Sequence, residues 1–132
     1  MKHLKEALEY YLWDYLRVYA DEHNLDVYDL EEYIFDEEYH EMIELDLVDK
    51  GFSSDEVKEI IGSIDYEINT DRISKETAYK FIAYYICLHN YGNFDTIEEL
   101  EMIMENGLEW SADDFTEEEL DGIVKYKEFV EY

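Results

Sequence analysis

DEHNLDVYDLEEYIFDEEYHEMIELDLVD, residues 21–49, holds thirteen Asp and Glu residues and no Lys or Arg. The gap in basic residues is wider still, running from Arg17 to Lys50. Yet Leu25, Val27, Leu30, Tyr33, Ile34, Phe35, Tyr39, Met42, Ile43, Leu45, Leu47 and Val48 run through the stretch, enough apolar surface to pack. Asp26 is placed to cap a helix, with Asp29 in its first turn. Leu30, Tyr33, Ile34, Met42, Ile43 and Leu47 keep helical spacing, predicting one long helix or two with a break near Asp36. The stretch is therefore expected to be folded, with its carboxylates held in a fixed pattern.

Working outward, the same spacing extends along the chain. Leu4, Leu8, Tyr11, Leu12, Tyr15, Leu16 and Tyr19 predict a helix over residues 2–23, capped by Asn24. Gly51 stops the acidic helix. Ser53 with Glu56 forms a capping box for a helix carrying Val57, Ile60, Ile61, Ile64 and Ile68 and ending near Asn69. Ser74 caps a helix reaching about His89, the most apolar segment and so the central one. Residues 90–95, with Gly92, read as a turn. Thr96 with Glu99 opens a short helix through Glu105, with Gly107 after it. Thr116 with Glu119 opens the last, whose tail VKYKEFVEY alternates well enough to be a strand instead. The expected fold is mainly α: residues 1–132 as one acidic helical domain, a compact bundle of five to seven helices with room for a short terminal β-hairpin.

Composition agrees with an ordered fold. Disordered acidic chains are poor in aromatic residues, whereas this one has 14 Tyr, 6 Phe and 2 Trp, and no Pro to break its helices. A formal charge of -27 makes the fold repel itself, so added salt or a basic partner should stabilise it. The single cysteine, Cys87, rules out an internal disulfide and lies in an apolar run that predicts a buried thiol. With no leader-like or membrane-spanning apolar run, a cytoplasmic protein is expected. Two polyanions, nucleic acid and anionic membrane, are poor partners for such a surface, and a basic protein is a good one.

Catalytic signatures are missing. There is no GxSxG, no Gly-rich phosphate loop and no HExxH, and carboxylates are too numerous for any pair to stand out. No enzyme activity and no cofactor are expected. His40 has Glu44 four residues on and Glu37 one turn earlier, but a solvated helix face is the better reading than a metal site. Residues 65–76 resemble an EF-hand calcium loop, with Asp65, Glu67, Asn69, Asp71 and Glu76 in register. Thr70 stands where that loop needs Gly, and Arg72 where an apolar residue is usual, so a plain helix–loop–helix connection is preferred.

What remains is the acidic pattern. Two outward carboxylates per helical turn give about one charge per 2.7 Å of axis, against roughly 1.7 Å for duplex DNA. Asp26, Asp29, Glu31, Glu32, Asp36, Glu37, Glu38, Glu41 and Glu44 are the first candidate set for partner binding. A second basic-free region, between Lys80 and Lys125, supplies Glu98, Glu101, Glu105, Asp113, Asp114, Glu117 and Glu118. Neighbouring like charges on a helix repel by roughly 0.2–0.5 kcal/mol per pair, and a chain needing only solubility would intersperse Lys. A halophile-type solvated surface is the competing explanation, but such surfaces go with few large hydrophobic residues.

In size, lack of proline, aromatic richness and its two basic-free regions, the chain resembles the small acidic DNA-mimic proteins of phages and mobile elements, the antirestriction and anti-CRISPR proteins. That resemblance implies a non-catalytic inhibitor occupying the basic DNA-binding groove of a host enzyme. A CRISPR nuclease is the leading target and a restriction enzyme the next. The alternative is an adaptor or regulator that docks another basic DNA-binding protein, using Tyr10, Tyr11, Trp13 or Trp110. A homodimer would lengthen the acidic path.

Overall fold

Capping residues at five helix starts, and no proline anywhere, direct this chain into helices. The computed structural model describes residues 1–24, 30–64, 67–89 and 94–130, Leu30 and Glu31 as backbone alone. Among these residues the fold is mainly α, as expected, with seven α-helical segments. They are α1 (Leu4–His23), α2 (Leu30–Tyr33), α3 (Glu37–Asp49), α4 (Ser54–Gly62), α5 (Lys75–Leu88), α6 (Ile97–Ile103) and α7 (Glu117–Tyr126).

Helix starts follow the local chemistry. Ser53 and Glu56 make a reciprocal capping box at α4, as do Thr116 and Glu119 at α7. Ser74 caps α5, Thr96 caps α6 and Asp36 caps α3, so the break expected near Asp36 is the gap between α2 and α3. Helix stops follow it less closely. Asn24 ends α1 in the left-handed conformation, and Gly51, at φ 97, ends α3 while Phe52 N–H donates to the Leu47 carbonyl at 3.0 Å.

Three expectations need correction. The helix expected to reach Asn69 ends at Gly62. The Ser63 hydroxyl donates to the Ile60 carbonyl at 2.6 Å, and Asn69 N–H donates to the Ser63 carbonyl at 2.8 Å. The chain thus folds back through an Ile64–Ile68 bridge, and both isoleucines still reach the core without helix. The short helix expected to run through Glu105 is α-helical only to Ile103, and Gly107 is not a stop but lies inside a wider π-helical turn, Met104–Leu108, ended by Glu109 in the left-handed conformation. Residues 124–130 of the alternating C-terminal tail are not a strand. They continue α7 to Tyr126 and then a 3-10 turn, Lys127–Phe129, and no hairpin forms among the described residues. Lys127 favours this course, since its Nζ donates to the Phe94 carbonyl at 2.9 Å and to Asp95 at 3.1 Å, pinning that turn to the segment before α6.

α5 is the centre. Every residue from Thr77 to Cys87 is buried, and α1, α4 and α7 all pack against it. Tyr11, Phe81, Tyr84 and Phe52 meet edge to face at its surface, the arrangement that ring quadrupoles favour. Cys87 is a buried thiol, as expected. No helix among the described residues is long and apolar enough to cross a membrane.

The packing of α7 on α5 depends on one glycine. A Cβ on Gly122 would lie 2.4 Å from Cδ2 of the Tyr79 ring. Gly122→Ala is therefore expected to destabilise the protein by about 1–3 kcal/mol, the usual range for overpacking, read as a lower urea midpoint at unchanged slope. An unshifted midpoint would mean that Tyr79 can swing aside at little cost.

Candidate functional site

α3 shows how the acidic stretch is used. Tyr39, Ile43 and Leu47 face the core, and the opposite side carries Glu37, Glu38, Glu41 and Glu44, all exposed. Among the described residues no Lys or Arg comes within ion-pair distance of these four. Glu37 and Glu38 sit in the first turn, where the helix dipole favours anions. Glu38 also accepts a hydrogen bond from the Tyr19 hydroxyl at 3.3 Å. From Glu37 to Glu44 the four charges average about 3.5 Å apart along the axis, in steps of about 1.5, 4.5 and 4.5 Å, against roughly 3.4 Å per phosphate of one DNA strand. That is sparser than the expected 2.7 Å, and the row does not continue past Glu44, where two carboxylates of α3 are diverted. Asp49 pairs with Lys50 at 3.3 Å, and Asp46 turns inward.

Asp46 is the residue that sequence reading missed. Tyr11 and Tyr15 of α1 each donate to its carboxylate at 2.6 Å, and Tyr84 of α5 donates at 2.9 Å. A buried tyrosine hydroxyl needs an acceptor, and one ionised carboxylate has enough lone pairs for three. Burial, reinforced by the nearby Asp46 charge, pushes Tyr11 and Tyr84 far above the ordinary tyrosine value. Burial and the Asp46 hydrogen bond push Tyr15 up to about 12. A signal did exist: Asp46 falls on the inward line of Tyr39, Met42 and Ile43, where a carboxylate calls for buried donors.

The remaining candidates divide. Asp26 and Asp29 lie outside the described residues, as does the side chain of Glu31. Glu32 is exposed on α2, and Asp36 is engaged in capping, accepting from Glu38 N–H at 3.4 Å. On α6 and its π turn, Glu98 and Glu105 are exposed and Glu101 is half-buried. Asp113, Glu117 and Glu118 are exposed, with Glu118 4.0 Å from Lys75. Asp114 is not an available charge. His3 Nε2 lies 2.8 Å from it and Lys2 Nζ 3.0 Å, and these two contacts hold its carboxyl below the usual value. The two acidic sets lie in different packing neighbourhoods: α3 packs on α1 and α4, and α6 on α7.

No known family model, curated protein or solved structure matches this chain. The site must be read from its own chemistry.

One cation, Lys80, is placed differently from the others, most of which are exposed. Lys80 is only 5% exposed and donates to the Gly51 carbonyl at 2.6 Å and to Glu56 at 2.9 Å, above the Phe52 ring. Burial would raise Glu56, but the Ser53 N–H and Lys80 hold it below its ordinary value. Burial acts the same way on Glu59, and Thr77 and Ser74 outweigh it.

Several other readings meet the structure directly. His40 Nε2 lies 2.8 Å from the Ile34 carbonyl, so that nitrogen acts as a donor there and not as a ligand. In the calcium-like loop, Asp65 lies outside the described residues, and Asn69 is engaged in capping the 3-10 turn Thr70–Arg72. No group of three or more potential ligands is poised for a metal among the described residues. Of the proposed docking aromatics, Tyr11 and Trp110 are buried and so unavailable, Trp13 is half-buried, and only Tyr10 is exposed. Leu45 and Val48, counted from sequence as packing residues, instead face solvent.

Proposed function

We propose that this protein is a non-catalytic, cytoplasmic inhibitor that mimics DNA and blocks the basic DNA-binding groove of a defence nuclease, with a CRISPR effector as the first target and a restriction enzyme as the second. The observation that carries this reading is the carboxylate row Glu37, Glu38, Glu41 and Glu44 on a folded helix, with no Lys or Arg partner among the described residues and an average axial spacing near that of one DNA strand's phosphates. Lys and Arg already arranged for phosphates would meet these carboxylates, and Arg can do so through two parallel hydrogen bonds. A net charge of -27 steers the encounter, so association is fast at low salt and slows as the Debye length shrinks. The spacing suits a groove that holds a displaced single strand, or one strand of a duplex.

Order of addition tests the mechanism. DNA bound to a purified CRISPR nuclease before the protein is added should protect the enzyme, and DNA added afterwards should not. A stable ternary complex of enzyme, DNA and protein on a sizing column would rule out competition for the groove.

A further inference from the structure

Resting on that reading but going beyond charge, we infer that the outward face of α3 docks a cationic amphipathic helix of its protein partner, one with an apolar strip flanked by Lys or Arg. Leu45 and Val48 are one turn apart on this 13-residue helix and are 73% and 53% exposed. Apolar side chains of this size gain substantially from burial, and none of the described residues covers these two. Carboxylates stand at the neighbouring helical positions: Glu41 is four residues before Leu45, and Glu44 four before Val48. The pattern recurs in the second acidic region, where Met102 is 63% exposed with Glu98 four residues before it and Glu105 three after.

An imitation of phosphate alone has no use for apolar side chains in the middle of its charges. A helix that packs against another helix does, because the apolar ridge enters a groove while flanking charges choose the partner. Complementarity selects the occupant. A second copy would bring Glu41 and Glu44 against like charges, and an anionic lipid surface or a nucleic acid would do the same. A basic amphipathic helix satisfies both features at once, its apolar strip on Leu45 and Val48 and its cations on the glutamates.

The probe is a synthetic Lys- and Leu-containing peptide patterned as an amphipathic helix, set against a scrambled peptide of the same composition. Binding is followed by fluorescence anisotropy at about 150 mM salt and over a salt series. The unmodified protein should bind the patterned peptide about tenfold tighter than the scrambled one. Leu45→Ser with Val48→Ser should remove about that tenfold, ~1.4 kcal/mol, while leaving the salt slope and the scrambled peptide's affinity unchanged. Leu45→Gln with Val48→Gln, which better keeps helix propensity, should behave alike, and circular dichroism should show both variants folded. Met102→Ser should change the affinity less than about twofold. Equal affinity of the α3 variants and the unmodified protein for the patterned peptide overturns the docking inference and leaves the acidic-face reading standing. Binding that ignores salt overturns the acidic-face reading itself.

Discussion

Asp46→Ala is expected to destabilise this protein strongly. It deprives three hydroxyls of one acceptor, those of Tyr11, Tyr15 and Tyr84. Tyr15 is half-buried and can turn to water, but Tyr11 and Tyr84 are fully buried and cannot. Each stranded buried donor costs about 1–3 kcal/mol, so the two together cost about 2–6 kcal/mol against a typical total of 5–15. Asp46→Asn should cost less, since its remaining carbonyl oxygen still accepts. The urea midpoint checks both. A shift for Asp46→Ala within about 0.5 kcal/mol would mean that the cluster is hydrated. The same cluster limits stability in alkali. Tyr15 has a folded value of about 12, above the unfolded value near 10, so folding favours its neutral phenol. That contribution is complete below about pH 10 and is lost as the pH rises through about 12. Phenolate absorbance should therefore show the Tyr15 step near pH 12, with Tyr11 and Tyr84 ionising only as the chain unfolds.

The second large effect concerns the partner. Glu37→Lys, Glu41→Lys and Glu44→Lys together should weaken inhibition by about 100-fold or more, because contacts turn from attraction to repulsion within the groove. Asp55→Lys, Glu67→Lys and Asp71→Lys change the net charge equally at exposed positions outside α3 and should weaken it less than about tenfold. Asp36 and Asp114 are poor choices for such a test, since one caps α3 and the other holds His3 and Lys2. Half-maximal inhibitory concentrations at two salt levels decide the matter. Equal losses from both triples would locate the effect in the long-range field and not in α3.

What could be read from the sequence follows the range of the interactions. Ser53 with Glu56, Thr116 with Glu119 and Ser74 announce helix starts because capping is settled within four residues. The burial of α5 was legible from its unbroken apolar run. Helix ends were harder. The stop at Gly62 depends on Ser63 and Asn69 closing a turn together, and the π turn carries the chain past Gly107. Asp46 looked like one more surface acid because its three donors come from α1 and α5, far away in sequence. Leu45 and Val48 looked like core because hydrophobicity does not say which side of a helix has a neighbour.

The inward lysine has a last consequence, for the ions around the protein. Lys80 braces the interior against Gly51 and Glu56 and does not dilute the surface charge. Glu37, Glu41 and Glu44 must then draw their neutralising cations from solution, as the phosphates of a nucleic acid do. A partner that displaces those cations gains the entropy of setting them free. The logarithm of affinity should fall linearly with the logarithm of salt concentration, with a slope that counts the carboxylates covered. By that route a small folded protein can reproduce the salt signature of a nucleic acid as well as its charge.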